Sequence, residues 1–443
     1  MEDMLTMEIT SLAKLIKEKK LSPVELTTYV LERIQKHDDE YHSFITVREE
    51  QALNEAKYAE KNIASGLYKG PLHGIPISIK DNIAVKNTRL TNGSIVNADY
   101  ISPQDASLVG QLRSRGAIIM GKTNMDEFAN NIIGINKHYG TIKHPMKENY
   151  TVGGSSGGSA VSVAKNFVYA SIGTDTAGSV RIPASCTGLY GLKPTYNLIP
   201  TEGITPLALS VDHAGILAKS NDDLSTMFHS IIPGSQTDTK DTKDVIQRLK
   251  IGILRDYAEK NDEEVQQAMN EVLATLQSHG AEIKNIETPF LEKFMETHLT
   301  ICSVEAYYYH QQLLEENEDL YEKANIDVFS AGKYIPQSKY IEALRTKREI
   351  ENAYQRILSE VDVLITPTLP ILPPTLDSYN EDWATTLSKM IKYTGPFNMG
   401  GLPAISIPYA KSEQGLPIGI QVIADKYQES LLLSISNWLM SNK

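Results

Sequence analysis

The chain has 443 residues, 41% of them hydrophobic, and a formal net charge of -12 at pH 7. This hydrophobic share supports a sizeable core, and the length suggests about three domains or one large α/β domain. The acidic surface repels phosphate backbones, so we expect no direct binding of nucleic acid.

Targeting and redox signals indicate a reducing compartment. The two cysteines, Cys186 and Cys302, stand far apart without a CxxC pattern, which excludes a disulfide scaffold and a zinc ribbon. The N-terminal stretch contains acidic side chains and lacks the apolar segment of a signal peptide. No apolar run is long enough to span a membrane. We therefore expect a cytoplasmic protein that makes no membrane contact.

The first part of the chain predicts helices that alternate with short strands. Apolar residues at helical spacing, with start signals such as Ser22-Pro23, predict helices at 5–19, 22–36, 52–65 and 105–116. Short apolar runs predict strands at 75–79, next to Lys80, and at 117–120. This alternation predicts a parallel or mixed sheet with helices on both faces, where ligands bind beyond the carboxyl ends of strands. Lys80 and Ser179 both occupy such positions.

The most informative stretch runs from Thr151 to Tyr196 and holds two glycine–serine clusters, at 153–159 and 173–179. Between them, residues 160–172 are apolar and long enough for a short buried helix and a short strand. Glycines beside serines allow positive φ and a close approach of backbone N–H groups to a ligand. Serines held between rigid elements can carry chemistry, whereas flexible linkers would not frame an apolar segment.

The remaining chain predicts a second region and a return to strands. Residues 237–248 are polar and resemble a linker. A strand at 249–254, a helix at 262–278 and a strand at 281–286 predict a small α/β unit, and 290–358 is mainly helical. The aromatic run Tyr307-Tyr308-Tyr309 within it is more typical of a core or an interface than of a pocket. Closing strands are predicted within 361–374, 401–408 and 415–422.

Three catalytic templates could explain the serine clusters. A phosphate loop is excluded, because the first cluster lacks the Gly-Lys-Ser/Thr ending. Residues 154–158 fit the G-x-S-x-G elbow of α/β-hydrolases with Ser156 as nucleophile. That template needs a later histidine, and the candidates, none in a recognisable setting, are His213, His229 and His310. The third template is a serine activated by a lysine.

Several segments together resemble the amidase signature family. They lie at 80–82, 121–125, 153–160, 173–184 and 191–195, and the closing Gly-Leu-Pro segments extend the resemblance. The resemblance covers nearly the whole chain and is weakest between about 240 and 358. It implies one α/β domain over 1-443, with a mixed, mostly parallel central sheet covered by helices on both faces. Its core would comprise about 1-240 and 360-443, with a smaller inserted α/β-helical subdomain at about 245-358.

The resemblance implies a Ser–cisSer–Lys triad, with Ser179 as nucleophile, Ser155 as bridging serine and Lys80 as base. The Gly154–Ser155 peptide bond would be cis. An exposed lysine has a pKa near 10.4 and cannot accept a proton at neutral pH, but burial disfavours its charged form. A neutral Lys80 could then take the Ser179 proton through the Ser155 hydroxyl, and Ser179 would attack an amide carbonyl.

The resemblance also assigns an oxyanion hole to the backbone N–H groups of one tight turn, those of Thr176, Ala177, Gly178 and Ser179. Ala177 replaces the glycine commoner in the family, and it would be strained if that position required a positive φ. Ser156 is expected to support Lys80 indirectly, through hydrogen bonds one residue removed from the lysine, and no metal ion or other cofactor is expected. Asp175 and Arg181 are expected to brace the loop.

Three functions stay open at this point. The first is a stand-alone amidase that hydrolyses a small-molecule amide, which residues 211–220 favour. The second is the A subunit of glutamyl/aspartyl-tRNA amidotransferase, which releases ammonia from glutamine. Its Arg-Ile-x-x-Gly arginine is absent at the comparable Asn325, and Met390-Ile391-Lys392 stand where an acid is common. The third is an inactive scaffold with the same fold. The acyl and amine parts, homo-oligomer formation and the need for a partner subunit stay undetermined.

Overall fold

The structure is a computed structural model that describes residues 2–232, 234, 246–258 and 261–443. Residues 237–245 of the predicted linker at 237–248 therefore lie outside the described residues. The described strands are β1 (Phe44–Val47), β2 (Pro76–Lys80), β3 (Ile118–Thr123), β4 (Ala170–Asp175), β5 (Tyr190–Lys193), β6 (His213–Ala218), β7 (Lys250–Leu254), β8 (Glu282–Ile286), β9 (Val363–Pro367), β10 (Ala404–Lys411) and β11 (Pro417–Ala424).

Helices cover the sheet and fill the second region. The described α-helices lie at Ile9–Lys17, Pro23–Tyr41, Glu49–Ala64, Ser107–Ser114, Gly157–Ala164, Arg181–Thr187, Asn221–Ile231, Arg255–Ala258, Glu263–Ser278, Leu291–Asn317, Lys323–Ala331, Gln337–Leu358, Leu376–Glu381, Trp383–Lys392, Gly395–Met399 and Glu429–Ser441. Short 3-10 helices lie at Glu2–Thr6, Ile95–Asn97, Glu127–Ala129, Glu318–Leu320 and Gly332–Tyr334. None of the helices in these described ranges combines the length and apolar character needed to cross a bilayer.

Local sequence signals predicted several of these elements correctly. The Ser22 hydroxyl accepts hydrogen bonds from the N–H groups of Val24 and Glu25, so the helix starts at Pro23 as predicted. It continues to Tyr41, beyond the predicted end. The predicted strand before Lys80 is β2, and Lys80 is its last residue.

The described strands form one sheet of eleven strands, in the order β1-β3-β2-β4-β6-β5-β10-β11-β9-β7-β8. The sheet is mixed, as predicted, but parallel pairing is not in the majority. Among the described strands, the parallel pairs are β2–β3, β2–β4, β7–β8 and β7–β9, and the other neighbours are antiparallel. This corrects the expected excess of parallel strands. The reason is that β6 lies antiparallel between β4 and β5, and the short turn between β10 and β11 can join only antiparallel strands.

The strand order brings distant sequence segments to one edge. β2 and β4 are parallel neighbours and are fully buried, so their carboxyl ends at Lys80 and Asp175 meet at the same edge of the sheet. The turn that contains Ser179 follows β4 directly. At the far end of the sheet, β7 and β8 pair next to β9. The division into a core and an inserted subdomain stays a prediction.

Candidate active site

The Lys80 side chain is fully buried at the end of β2. Its Nζ lies 2.7 Å from the Ser155 Oγ and 2.8 Å from the Thr174 Oγ1. Burial lowers the pKa of Lys80 to about 7, although the carboxylates of Asp126, Asp175 and Asp212 oppose this shift from a distance. No carboxylate oxygen of the described residues lies within ion-pair distance of the amine. A substantial fraction of this lysine is therefore neutral near pH 7.

Ser155 lies in a tight turn that precedes the helix Gly157–Ala164. The Gly154–Ser155 peptide bond is cis. A Cβ on Gly154 would lie 2.0 Å from the Asp126 Oδ2, so only glycine fits against this carboxylate. The Asp126 carboxylate in turn accepts a hydrogen bond from the Gly134 N–H at 3.0 Å. The buried Asp126 side chain thus hydrogen-bonds the loop around residue 134 and packs closely against the serine turn.

Ser179 lies between β4 and the helix Arg181–Thr187, and it is 3% exposed. The Ser156 N–H donates to the Ser179 carbonyl oxygen at 3.1 Å, which joins the two serine turns through their backbones. The preceding Gly178 has a φ of 130°, and a Cβ there would lie 2.3 Å from the Thr394 Oγ1. The structure therefore brings the turns of Ser155 and Ser179 together beside Lys80.

The structure corrects the prediction that the Gly178 N–H belongs to the oxyanion hole. The Gly178 N–H donates to the Asp175 Oδ1 at 2.7 Å, so it is not available to a substrate oxygen. The Ala177 and Ser179 N–H groups donate to no protein acceptor within the described ranges. Ala177 is not among the residues with a positive φ, so its replacement of glycine causes no backbone strain there.

Thr174 is a site residue that the sequence did not single out. The Ser156 Oγ donates to the Thr174 carbonyl oxygen at 3.0 Å and forms no hydrogen bond with Lys80 itself, so any support it gives the lysine passes through Thr174, and this supporting role stays a prediction. The direct partner is the Thr174 Oγ1, which also accepts from the Asn82 Nδ2 at 3.1 Å. A signal existed, because Thr174 lies in the second glycine–serine cluster and Asn82 follows Lys80 by two residues.

Asp175 and Arg181 brace the turn of Ser179, as predicted. The Arg181 guanidinium donates to both Asp175 carboxylate oxygens, at 2.9 and 3.0 Å. It also donates to the Gln421 Oε1 and the Asn398 Oδ1, both at 2.6 Å. Burial alone would raise the pKa of Asp175, but the Arg181 charge holds it well below its usual range. Because its donors are engaged in this network, Arg181 is not free to bind a substrate carboxylate.

The α/β-hydrolase template finds no support in these contacts. The Ser156 hydroxyl donates to the Thr174 carbonyl oxygen and accepts from the Thr174 N–H, and it does not hydrogen-bond a histidine of the described residues. His213 is buried, and its Nδ1 lies 2.7 Å from the Val211 carbonyl oxygen. Ser156 therefore has no histidine base in this arrangement.

One cluster has the composition of a metal site. Ligand atoms of Glu127, His138 and Glu322 all lie within 4.8 Å of one another. The Glu127 carboxylate already accepts hydrogen bonds from four donors, which are the Ser94 hydroxyl, the His138 ring, the Glu322 N–H and the Asn325 side chain. A carboxylate offers about four lone-pair positions, so these donors saturate it. The cluster joins the loop after β3 to the helix Lys323–Ala331.

The chain resembles known proteins in sequence and in fold. The family model described as Amidase matches residues 25–433. The chain is 33% identical to the A subunit of the glutamyl-tRNA(Gln) amidotransferase of Lachnospira eligens, over 95% of this chain and 95% of that protein. A crystal structure of an amidase matches with a TM-score of 0.89 at 30% identity, covering 98% of this chain and 99% of that one. A 6-aminohexanoate cyclic dimer hydrolase matches with a TM-score of 0.87 at 26% identity, covering 99% and 97%.

Proposed function

The chain belongs to the amidase family and hydrolyses amide C–N bonds, and we propose that it does so through an acyl-enzyme on Ser179. Lys80 is the base in this proposal, and Ser155 passes the proton between them. The observation that carries it is the buried Lys80 amine, 2.7 Å from the Ser155 Oγ and without a contacting carboxylate among the described residues. Such a lysine can lose its proton near neutral pH and act as a base.

Acylation needs two coupled proton transfers. A neutral amine has one lone pair. One of the Lys80 N–H groups donates a hydrogen bond to the Thr174 Oγ1, which leaves the lone pair free to accept from the Ser155 hydroxyl. The Ser155 proton then moves to Lys80 as the Ser179 proton moves to the Ser155 oxygen. The Ser179 Oγ forms a bond to the amide carbon, and the carbonyl oxygen becomes an oxyanion. Backbone N–H groups of Thr176, Ala177 and Ser179 would stabilise it.

Collapse of this intermediate breaks the C–N bond. The protonated Lys80 returns its proton through Ser155 to the leaving nitrogen, which departs as a neutral amine. Water then attacks the ester on Ser179 by the same relay, and the carboxylic acid is released. The bonds and protons of both half-reactions balance with water as the only co-substrate.

The proposed substrate is a small amide that is turned over by this chain alone. Glutamine has an α-carboxylate that needs a cationic partner, and the Arg181 guanidinium is already bound by Asp175, Asn398 and Gln421. At the comparable position for the family's arginine, Asn325 is buried and donates to the Glu127 carboxylate. Both observations favour an amide without a charged α-carboxylate.

A second candidate is the A subunit of an amidotransferase that supplies ammonia from glutamine. The 33% identity over 95% of the chain to such a protein supports it. In this case the chain would work with partner subunits and charged tRNA. The two candidates share the nucleophile and differ in substrate and assembly.

A fluorophosphonate probe tests the nucleophile directly. We expect covalent labelling of the folded protein at Ser179 and none in Ser179→Ala. Ser155→Ala should fold normally and label far more slowly, because the relay is interrupted. Absence of labelling in folded wild-type protein would instead support an inactive scaffold.

A hydrolysis panel separates the two candidate substrates. Purified chain is assayed with primary and substituted amides of aliphatic, aromatic and amino acids. Turnover of simple amides without partners supports the stand-alone amidase. Turnover of glutamine only with copurifying subunits and charged tRNA would establish the second candidate.

A further inference from the structure

Two buried carboxylates hold the turn from Thr176 to Ser179, one at each end. Asp175 holds the second half of the turn, because its Oδ1 accepts from the Gly178 N–H at 2.7 Å. The first residue of the turn contacts a different carboxylate. The Thr176 hydroxyl donates to the Asp212 Oδ1 at 2.6 Å, and both residues are buried. Each end of the turn therefore depends on its own acidic side chain.

Asp212 is itself fixed by hydrogen bonds from the backbone. Its Oδ2 accepts from the N–H groups of Leu207 and Ala208, at 2.9 and 3.0 Å. The Asp212 N–H donates to the Ala208 carbonyl oxygen at 2.9 Å, which closes the loop before β6 on itself. Its charge interactions within the described part of the chain include no lysine or arginine among the main ones. Asp212 is therefore an acceptor held in place by the loop, with one oxygen left for Thr176.

This contact lies at the peptide groups that the proposed mechanism uses. The Thr176–Ala177 peptide carries the Ala177 N–H, which donates to no protein acceptor within the described ranges. The hydrogen bond to Asp212 restricts rotation of the Thr176 side chain and so fixes the residue from which this peptide extends. An oxyanion hole stabilises charge efficiently when its donors are held in position before the charge develops.

We propose that Asp212 is a positioning residue for the oxyanion hole, which acts through the Thr176 hydroxyl and does not touch the substrate. The inference rests on the proposed function, in which N–H groups of this turn stabilise the oxyanion. Asp212 then contributes to the transition state and not to binding of the amide, because the oxyanion exists only after Ser179 attacks. A purely structural contact would contribute to folding and leave the activity of the folded enzyme unchanged.

Two substitutions remove the contact from opposite sides. Thr176→Val removes the donor and keeps the carboxylate, whereas Asp212→Asn removes the charge in a side chain of the same shape. We expect each to lower kcat about tenfold with KM nearly unchanged, because the N–H donors are displaced but still present. The double variant should be no slower than the slower single variant, since both act through one hydrogen bond. Thr176→Ser keeps the hydroxyl and should retain most of the activity.

These rates are measured on the best amide of the hydrolysis panel at about pH 9. Burial gives both Lys80 and Asp212 a pKa of about 7, lowered for the lysine and raised for the acid. At about pH 9 the amine is therefore neutral and the carboxylate is ionised in the wild type. A change in the protonation of Lys80 then does not contribute to the loss in either variant.

A boronic acid with the same acyl group measures the oxyanion hole without turnover. It binds a serine as a tetrahedral anion, so it resembles the transition state, whereas the carboxylic acid product does not. We expect the inhibition constant of the boronic acid to rise about tenfold in Thr176→Val and Asp212→Asn. The inhibition constant of the product should stay close to the wild-type value.

Asp223→Asn is the matched control. Asp223 is also a buried carboxylate that accepts from a backbone N–H, that of Ile9 at 2.6 Å. It joins the helices Ile9–Lys17 and Asn221–Ile231 and makes no hydrogen bond to the turn. We expect this variant to lose stability without a change in kcat or in binding of the boronic acid.

Three outcomes separate the inference from the proposed function. Unchanged kcat and boronic acid binding in folded Thr176→Val and Asp212→Asn overturn the inference and leave the proposed function intact. An equal loss of affinity for the boronic acid and the product does the same, since it indicates general damage to the site. Failure of wild-type protein to hydrolyse any amide or to label Ser179 overturns both. Thermal melts confirm folding, and Thr176→Val decides alone if Asp212→Asn does not fold.

Discussion

Lys80 and Lys122 lie at the ends of two neighbouring parallel strands, and both are fully buried. In the pairing of β2 with β3, Ile79 lies opposite Lys122 and Lys80 lies opposite Thr123. The Lys122 Nζ lies 3.1 Å from the Asp81 Oδ1, with which it forms a buried ion pair. The Lys80 Nζ instead contacts two hydroxyl oxygens.

The difference shows how two similar lysines acquire different chemistry. Burial lowers the pKa of both side chains, and the Asp81 carboxylate opposes this shift at Lys122 by direct contact. Lys80 has no contacting carboxylate among the described residues to oppose the effect of burial, which lowers its pKa to about 7. We therefore propose a structural role for Lys122 and a catalytic role for Lys80, and four experiments challenge this proposal.

Replacement of Lys80, the proposed base, should have the largest effect. We expect Lys80→Met to lower kcat by about 10³-fold, the contribution typical of a general base. The melting temperature should stay close to that of the wild type, because no charged partner is left unpaired. Activity on the best amide and a thermal melt measure the two effects. Wild-type turnover in this variant would remove Lys80 from the mechanism.

The same replacement at the other lysine should affect stability instead. Lys122→Met leaves the Asp81 carboxylate buried without its cation, which typically costs about 3–5 kcal/mol. We expect a lower midpoint in denaturant and near wild-type kcat in the folded fraction. If Lys122→Met lost activity without losing stability, the division between the two lysines would be wrong.

The pH dependence of the wild-type enzyme should report Lys80. Below a pKa of about 7 the amine is protonated and cannot accept a proton, so kcat/KM should fall about tenfold for each pH unit. The pKa of Lys80 is lower in the folded state than its ordinary value of 10.5, so this group's contribution to stability rises with pH between the two values. Lys80→Met should lack that rise. A flat activity profile from about pH 5 to 8 would contradict a lysine base.

The smallest effect is expected at the hydroxyl that orients the lysine. Thr174→Val removes one hydrogen bond of Lys80 and should lower kcat by about three- to tenfold. Thr174→Ser keeps the hydroxyl and should restore most of the activity. If the serine variant were as slow as the valine variant, packing rather than the hydrogen bond would explain the loss.

Local signals in the sequence predicted much of the architecture. The helix start at Ser22 depends on a cap within a few residues, and the end of β2 depends on a short apolar run. The contact of Lys80 with Ser155 also agrees with the triad that the family resemblance implied. The direct partner Thr174 was missed, because it lies 94 residues from Lys80 and the sequence does not show which group a threonine hydroxyl near a strand end will contact. The engagement of the Gly178 N–H by Asp175 was missed for a similar reason, since a backbone donor has no signature in the sequence.

The amino-acid sequence alone determined the family, the position of the lysine at a strand end and the two serine turns. These features follow from short-range patterns of glycine, serine and apolar residues. Tertiary structure decided which strands are neighbours, and hence that β6 lies antiparallel between β4 and β5. It also decided that Lys80 meets hydroxyls while Lys122 meets a carboxylate. The physical reason is that burial and hydrogen-bond partners depend on long-range packing, and these set the protonation state on which the chemistry depends.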